Sequence, residues 1–478
     1  MDLNTNGSWA MDEFSEIDLG DERLNNRLVK IVDRLSESPE SPINQACEDW
    51  AETKAAYRFF RNDNVDAEEI MHAHSLKTVR RAKEEETILV LQDTSFLNYT
   101  DHPETEGLGS ISVGIRSSDS KRIHSKGLIM HTSLATTTSG LPLGILDQKI
   151  FTRNMGNGNG VKRKVDSMPI EEKESYRWLE SLESSVIGLV GTRVVTVCDR
   201  EADMYEFFKF SQDLKQPILV RAKANRPVNK RCMYQETGVT KLWEYLNSQP
   251  VAGNYDLEIQ AKKKVKRTKE REARVAKLEI KFGAFKLNPC TRLGSAMPDI
   301  DMHAVYVFEP NPPDGVEPID WMLLTTLEVN NLEEAYEKVQ WYALRWRVEM
   351  FHKVMKSGFG VEKCRLGEAE RLIRYITIMS IVAWRLFAIT LLSRTDPEEP
   401  CSNIVTEDEW KVLFLKTHKN KKLPKEAPKV SEVVVWIARL GGFLARKNDG
   451  HPGTITLWRG WKRLNDLTDG WLLAREAR

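Results

Sequence analysis

The sequence predicts an α/β fold in which a mixed sheet lies between two helical regions of the chain, and three observations favour this class. Two apolar segments, residues 87–92 and 193–198, have the length of buried strands, and each is followed by an aspartate. A hairpin pattern lies between them at residues 126–147. One segment with helical periodicity follows the hairpin, and another follows the second apolar segment. The resulting order of strand, hairpin, helix, strand, helix, strand matches a ribonuclease-H-like core.

The first eighty residues predict a small helical module, and the first domain is expected to cover residues 1–70. Helical patterns begin near Asp21, cover residues 44–61 and continue at residues 67–82, with a Ser-Pro turn at residues 38–42. Basic side chains lie on the predicted exposed faces, where they either keep the module soluble or bind phosphates. These positions are Arg23, Arg27, Arg58, Arg61, Lys77, Arg80 and Arg81.

The predicted core domain covers residues 71–370 and contains an insertion. Its strands are expected at residues 87–92, 126–136, 141–147, 193–198 and 217–222, with helices at 171–182 and after Asp203. Residues 228–330 break this order, and their aromatic and β-branched segments indicate a β-rich insertion. The insertion includes a cationic, β-leaning segment at residues 262–274.

Composition narrows the class of protein. The chain has 70 basic and 70 acidic residues, so no global field favours a nucleic-acid partner and any such site must be local. The six cysteines show neither zinc-site nor disulfide spacing, which fits a reducing compartment. The first residues lack the pattern of a signal peptide, and a cytoplasmic location is expected.

The last part of the chain, residues 371–478, predicts a helical domain. Its most apolar stretch, residues 375–392, is interrupted by Arg385 and flanked by Arg374 and Arg394. A buried helix therefore explains this stretch better than a membrane span, and no membrane partner is expected.

A single helix is predicted over residues 342–356, with a polar stripe on one side. At about 100° per residue, Tyr342, Arg345, Glu349 and Lys356 fall within a narrow arc, and His352 lies near its edge. The opposite side is predicted to face the core; it carries Leu344, Val348, Phe351, Val354 and Met355. The stripe is either an ordinary solvated face or a surface that binds metal and phosphate together.

Two aspartates strengthen the second interpretation. In open α/β sheets functional groups gather at the carboxyl ends of strands, where Asp93 and Asp199 are expected. If folding brings them to Glu349, three hard oxygen ligands would suit Mg²⁺, with Mn²⁺ as a substitute. Two such ions would catalyse hydrolysis or transfer at a phosphodiester. Arg345 and Lys356 would then hold the flanking phosphates.

Several separated motifs carry a resemblance to a known family. They are the spacing Tyr-x2-Arg-x3-Glu-x6-Lys from residue 342, Cys-Asp-Arg-Glu-Ala-Asp at 198–203, and the segments at 19–21, 56–62, 321–325 and 438–443. Together they resemble the cut-and-paste DDE transposases of insertion-sequence family four over nearly the whole chain. The resemblance implies that Asp93, Asp199 and Glu349 form the metal-binding catalytic triad.

The resemblance also implies a set of DNA contacts. Tyr342, Arg345 and Lys356 would contact the transposon end near the cleavage point, and Trp321 would stack on a base flipped out of the duplex, unless it is a core residue of the insertion. Further end contacts are implied at Arg221, Lys223, Arg226, Arg23, Arg27 and Arg58, while His352 would contact DNA or support the metal ligands. The chain has Arg23-Leu24-Asn25 where relatives carry adjacent arginines, so their end-sequence preference does not transfer.

The activity implied by the resemblance is cut-and-paste transposition. A homodimer would bind the inverted transposon ends in double-stranded DNA, nick them, resolve the second strand through a hairpin and join the 3′ ends to target DNA. The location implied is the bacterial cytoplasm, with nucleoid association on DNA. Three rivals stay open: a regulator that binds ends without cutting, a nuclease without strand transfer, and a structural DNA-bridging protein.

Overall fold

The computed structural model describes residues 8–115, 122–153, 168–229, 240–259, 272–289, 297–419, 422–447 and 449–477. Within these residues the fold is mixed α/β, with helices at both ends of the chain and one large sheet between them. A continuous hydrophobic core extends from the first helix to the last and contacts one face of the sheet.

The N-terminal region is helical. Its helices are α1 (Trp9–Glu13), α2 (Glu22–Glu37), α3 (Ile43–Ala46), α4 (Trp50–Arg61) and α5 (Ala67–Ala82). The prediction of one helix over residues 44–61 is wrong, because the chain is interrupted between α3 and α4. Asp49 is extended there, and its side chain caps α4 by accepting from the Glu52 N–H at 2.7 Å.

The central sheet has twelve strands in the described residues. They are β1 (Thr87–Asn98), β2 (Gly109–Ile115), β3 (Arg122–Thr137), β4 (Pro142–Phe151), β5 (Arg193–Cys198), β6 (Ile218–Arg221), β7 (Pro227–Val228), β8 (Thr240–Lys241), β9 (Gly253–Ile259), β10 (Arg274–Leu287), β11 (Ile300–Phe308) and β12 (Asp320–Thr325). The main order is β2-β3-β1-β5-β6-β12-β11-β10-β7-β8, with β4 beside β3 and β9 beside β10. Helices α6 (Arg177–Ser184), α7 (Tyr205–Leu214) and α8 (Leu242–Ser248) lie between strands along the chain.

Strand β1 is longer than the sequence indicated. The expectation that it ends at Asp93 is wrong, since it continues to Asn98. What ends near Asp93 is its parallel pairing with β5, whose last registered pair is Leu91 with Val197. Beyond that point β1 stays paired with β3 on its other side, so the aspartate lies where one edge of the strand becomes free of its parallel neighbour.

The predicted insertion extends the sheet rather than forming a separate one. Strand β12 pairs antiparallel with β6, and Leu323 lies opposite Arg221. Strands β11 and β10 follow in the same sheet. Most of the cationic segment predicted at residues 262–274 lies outside the described residues. The return of β12 next to β6 brings the end of the insertion to the centre of the molecule.

The predicted single helix over residues 342–356 is divided. Helix α9 (Leu332–Leu344) ends before Arg345, α10 (Trp346–Lys353) follows, and a π-helical turn covers Val354–Phe359. At the division the Arg345 N–H donates to the Tyr342 carbonyl at 3.1 Å, the tighter pattern of a 3₁₀ turn. The predicted core face is confirmed at Val348 and Phe351, which are fully buried.

The C-terminal region is helical and packs on the rest of the chain. It contains α11 (Ala369–Thr395), α12 (Glu407–Thr417), α13 (Val430–Leu440) and α14 (Thr454–Glu476). Helix α11 is long and apolar enough to cross a membrane, but 94% of its most apolar window is buried against the protein. Its Arg374 donates to the Phe60 and Val65 carbonyls, and its Trp384 donates to the Pro142 carbonyl at 3.2 Å. It therefore joins the N-terminal helices to the sheet.

Candidate active site

Asp93 and Asp199 lie side by side, just beyond the parallel pairing of β1 with β5. Because Leu91 is paired with Val197 in parallel strands, Asp93 and Asp199 occupy the same level two residues further on. Asp199 begins a 3₁₀ turn, and its Oδ1 accepts from the Glu201 N–H at 2.7 Å. The turn fixes the backbone direction after β5 and leaves the second carboxylate oxygen of Asp199 available.

Glu349 joins the aspartates through Arg345. The Arg345 guanidinium forms an ion pair with Glu349 one helical turn along, and its Nη1 lies 3.6 Å from Asp93 Oδ1. Glu349 also interacts electrostatically with Asp93 and Asp199. The structure thus brings the three predicted acidic residues to one place. In the described part of the chain, no three His, Cys, Asp or Glu side chains already converge closely enough to hold one ion.

The negative charges of this group are not balanced. Burial raises the pKa of Asp199, and the Asp93 carboxylate adds to the rise. Burial also raises the pKa of Glu349, although Arg345 opposes it. Nε and Nη1 of Arg345 are buried and have no hydrogen-bond acceptor among the described residues. Crowded oxygen ligands with a deficit of positive charge fit a divalent cation, which prefers such ligands.

Tyr342 and Trp321 form an aromatic pair beside the acidic residues. Tyr342 is only 2% exposed and Trp321 8% exposed, and their rings meet edge to face with centroids 5.3 Å apart. Arg345 is also buried, so of the two interpretations of the stripe, the ordinary solvated face does not fit Tyr342 and Arg345. Trp321 lies in the core here, which agrees with the alternative given for it above.

The remaining polar residues of the stripe have protein partners. His352 is buried, with Nδ1 3.4 Å from Asp93 Oδ2 and Nε2 3.2 Å from the Thr132 hydroxyl. It contacts a predicted metal ligand, as one of its two suggested roles requires. Lys356 is partly exposed, donates to the Phe96 carbonyl at 2.7 Å and lies 3.7 Å from Glu362. Its ammonium therefore lies next to the end of β1.

The basic residues after β6 differ in their surroundings. Arg221 donates to the Asp320 carbonyl at 2.7 Å, and Arg226 forms an ion pair with the buried Asp203. Lys223 is exposed, and only its backbone N–H contacts Asp203, at 2.6 Å. Arg226 thus holds the loop, whereas the Lys223 side chain faces solvent.

The basic residues of the N-terminal helices have surroundings of their own. Arg23 is 91% exposed and pairs with Asp21, the residue that caps its own helix. Arg58 is exposed on α4, and Arg27 is half-buried on α2. Among the described residues, no ion pair joins these three arginines to Asp93, Asp199 or Glu349.

Sequence reasoning missed a second layer of residues around the aspartates. Thr94 follows Asp93, Glu201 follows Asp199 by two positions, and both accept hydrogen bonds from Arg177. Thr94 also contacts His131 on β3, with 2.9 Å between Oγ1 and Nδ1. Proximity in sequence could have indicated Thr94 and Glu201, but no sequence pattern pointed to Arg177.

Comparison with known families gives three matches along the chain. A transposase DNA-binding model matches residues 6–65, a transposase DDE domain model matches residues 115–384, and the Tn5 transposase dimerisation domain matches residues 381–478. The DDE match covers more than half of the chain. The protein belongs to the DDE transposases. The resemblance stated from the sequence is thereby confirmed, and the dimerisation match makes this transposase similar to that of Tn5.

The DDE domain is the catalytic domain of enzymes that cleave DNA and transfer its strands, generally with divalent metal ions. Asp199 and Glu349 of the transposase lie inside the matched range, and Asp93 precedes it. The inclusion of Asp93 in the site therefore rests on the pairing of β1 with β5 and on its contacts with Arg345 and His352.

Seven chains of solved structures also match the transposase. A cryo-EM structure of the piggyBac transposase synaptic complex with hairpin DNA is 9% identical, with a TM-score of 0.33, over 77% of this chain. The match spans 65% of that chain, about two thirds of its length. Similarity at this level carries no argument about the mechanism of the transposase.

Proposed function

We propose that the transposase excises a DNA segment by cutting at its inverted ends and joins the freed 3′ ends to target DNA. The observation that carries the proposal is the meeting of Asp93, Asp199 and Glu349 around one buried guanidinium. The family match supplies the reaction class, and the geometry supplies the residues. The proposed cutting site lies where β1 and β5 stop pairing, between interior strands of a sheet that we propose to be ribonuclease-H-like.

The three carboxylates are proposed to hold Mg²⁺, with Mn²⁺ as a substitute and two ions in all. When bound, such ions activate a water or a 3′ hydroxyl and neutralise the leaving oxygen of a phosphodiester. Asp93 and Asp199 are held at one level by their strands, and Glu349 approaches from α10. His352 keeps Asp93 oriented through its Nδ1.

Basic and aromatic side chains around the carboxylates are proposed to position the DNA. Arg345 would bind a phosphate next to the scissile bond, because its Nε and Nη1 have no acceptor in the described protein. Lys356 and Lys223 would bind flanking phosphates. Tyr342 would contact the end, and Trp321 would stack on a flipped base during hairpin formation.

More distant contacts complete the proposal. Residues 1–70 would form the end-binding domain, with contacts from Arg23, Arg27 and Arg58. Arg221 and Arg226 would approach the DNA from the loop after β6. Residues 71–370 would form the catalytic domain, and residues 371–478 would join two protomers so that each cuts the end held by the other. We place the protein in the bacterial cytoplasm.

The test is incubation of purified transposase with its element's end sequence and Mg²⁺. We expect nicks, hairpins and joined products. Glu349→Ala should abolish all three while end binding in EDTA persists. A protein that only binds or bridges ends would give no nicks, and a nuclease without strand transfer would give nicks but no joined product.

Trp321 allows a separate test of the hairpin step. Trp321→Ala should reduce hairpin formation by about tenfold, in line with loss of one base-stacking contact, while first-strand nicking changes less. Because Trp321 also packs against Tyr342, Trp321→Phe is the control that keeps a ring in the core. Equal loss of nicking and hairpin formation would show that the role of Trp321 is structural.

A further inference from the structure

Arg177, at the start of α6, contacts residues close in sequence to both Asp93 and Asp199. Its side chain is 9% exposed. We propose that Arg177 is a positioning residue that sets the separation of Asp93 and Asp199 for metal binding. The inference rests on the proposed function in that it takes these two carboxylates as metal ligands.

The guanidinium of Arg177 contacts the residues beside the two aspartates through separate atoms. Its Nε donates to the Thr94 hydroxyl at 3.2 Å, and Thr94 directly follows Asp93 in β1. Its Nη2 donates to Glu201 Oε2 at 3.0 Å, and the Glu201 N–H in turn donates to Asp199 Oδ1. Nε and Nη2 lie in one rigid plane. The distance between the two acceptors is therefore set by the shape of the guanidinium.

The third nitrogen of the guanidinium anchors it to the helix start. Nη1 donates to the Glu174 carbonyl at 2.7 Å, in the 3₁₀ turn before α6. The next residue, Trp178, packs edge to face against His131, with ring centroids 4.6 Å apart. The start of α6 is thus fixed against β3, and Arg177 cannot follow a shift of either strand end.

His131, on β3, contacts the Thr94 hydroxyl from the side opposite to Arg177. It lies opposite Thr94 in the strand pairing, and its Nδ1 is 2.9 Å from the Thr94 hydroxyl oxygen. Burial lowers the pKa of His131 well below its usual value, so the ring is neutral and does not repel the guanidinium. Thr94 therefore has Arg177 on one side and His131 on the other, and its hydroxyl is held in one orientation.

A lysine at position 177 could not make the same contacts as the arginine. An ammonium is a point charge on a flexible stem and cannot keep two acceptors at a fixed separation. Loss of the guanidinium would free Thr94 and Glu201 and loosen the spacing of the aspartates. The expected consequence is weaker metal binding, with binding of end DNA unchanged in the absence of metal.

The experiment measures Mn²⁺ binding by the full-length protein without DNA, by titration calorimetry or electron paramagnetic resonance. Arg177→Met should weaken Mn²⁺ binding by about tenfold or more, the usual effect of removing a partner of a metal ligand. The Mg²⁺ concentration for half-maximal nicking should rise by a similar factor. Arg177→Lys should recover only part of either loss, and binding of end DNA in EDTA should equal that of the wild type.

Arg153→Gln is the matched control. Arg153 pairs with the same Glu174, whose Oε2 lies 2.8 Å from its Nε, and in the described part of the chain it forms no hydrogen bond or ion pair with Thr94 or Glu201. Its substitution should change Mn²⁺ affinity by less than about twofold. If Arg177→Met does not fold, Thr94→Val and Glu201→Met each remove one of the acceptors that Arg177 has beside the aspartates and should weaken Mn²⁺ binding in the same direction.

Unchanged Mn²⁺ affinity in the Arg177 variants, or an equal loss in Arg153→Gln, would overturn the inference. So would a wild-type protein that binds no Mn²⁺. Wild-type protein that binds Mn²⁺ through Asp93 and Asp199 but never cuts end DNA would refute the proposed function alone. The effect of Arg177 on affinity would then still support or overturn the positioning role.

Discussion

Two groups of buried charges in the transposase differ in whether the charges are balanced. The α1 cluster, formed by Glu13, His74 and Arg81, is balanced. Glu13 Oε1 lies 2.5 Å from His74 Nδ1, and Glu13 Oε2 accepts from Arg81 Nη1 at 2.9 Å. The His74 Nε2 accepts from the Ile145 N–H at 2.9 Å, so the ring is neutral and carries its proton on Nδ1. Each oxygen of Glu13 therefore has its own donor.

The active-site cluster, formed by Asp93, Asp199, Glu349 and Arg345, has three carboxylates and one guanidinium within hydrogen-bonding or ion-pair range of two of them. Burial alone would raise the pKa of Glu13, but Arg81 and the His74 ring lower it to about 2. In contrast, the pKa values of Asp199 and Glu349 are raised. The α1 cluster therefore stabilises the fold. In the active-site cluster the carboxylates repel one another, and a bound cation would reduce this repulsion.

The largest expected effect comes from removing one carboxylate of the active-site cluster, that of Asp199. Asp199→Asn should lower nicking of end DNA by at least about 10³-fold, more than the loss of one transition-state donor usually costs. The asparagine Oδ1 still accepts from the Glu201 N–H, so the turn after β5 and the binding of DNA in EDTA should persist. Asp213→Asn is the control, since Asp213 is exposed and pairs with Lys209. Nicking above one tenth of the wild-type rate would contradict the assignment.

The second effect concerns the balanced cluster. Glu13→Gln should lower the free energy of unfolding by about 4 kcal/mol, because it leaves the Arg81 guanidinium, only 15% exposed, without its charged partner. Glu16→Gln is the matched control just after α1: Glu16 pairs with Arg80 of α5, and both are partly exposed, so the cost should stay below about 1 kcal/mol. Denaturant unfolding at pH 7 measures both. Equal costs would show that burial of the α1 cluster contributes nothing.

The difference between these clusters also explains what could be predicted from the sequence. The bounds of α5 and the pairing of β1 with β5 follow from local periodicity and from strand order. The division of the helix at Arg345 did not follow, because residues 342–356 contain no glycine or proline that would mark a break. The continuation of β1 past Asp93 was missed because it depends on pairing with β3, which local periodicity does not show.

The candidate site shows the same limit. Asp93, Asp199 and Glu349 were identified because their motifs resemble a family, and the structure places them together. The burial of Tyr342 was not predicted, because helical periodicity cannot show that Trp321 returns from the insertion to cover it. Arg177 was missed because a single arginine at a helix start has no distinctive pattern. Contacts between side chains that are far apart in the sequence cannot be predicted from local sequence patterns.

The third effect is the response to acid, which should have opposite signs in the two clusters. The pKa of Glu13 is lowered, so its contribution to the free energy of unfolding is complete above the usual pKa of 4.5. This contribution, about 3 kcal/mol in total, is lost as the pH falls towards about 2. Burial lowers the pKa of His74, so its share of the loss begins below about 6.5. The raised pKa of Asp199 acts in reverse, since protonation on acidification relieves repulsion.

Unfolding free energies measured between pH 7 and pH 3 test these signs. Glu13→Gln should flatten the loss of stability below pH 4.5, since the variant has no carboxylate to protonate there. Asp199→Asn should raise stability at pH 7 and make the loss on acidification steeper, because the compensating gain is removed. An identical pH profile for wild type and Glu13→Gln would refute the assignment of this loss to the α1 cluster.

The smallest expected effect is the stabilisation of the fold by a bound metal ion. It tests directly whether the carboxylates of the active-site cluster repel one another. A divalent ion that binds only the folded site at tenfold excess over its dissociation constant contributes about 1.4 kcal/mol, which corresponds to about 1–2 °C in the unfolding midpoint of a chain of this size. Mg²⁺ should therefore raise the midpoint of the wild type, whereas Asp199→Asn should start higher in EDTA and gain less. Glu13→Gln should start lower and gain as much as the wild type, because the α1 cluster does not bind the ion. If Mg²⁺ shifted the Asp199→Asn midpoint as far as that of the wild type, the ion would be binding elsewhere, and the unbalanced carboxylates would not be its site.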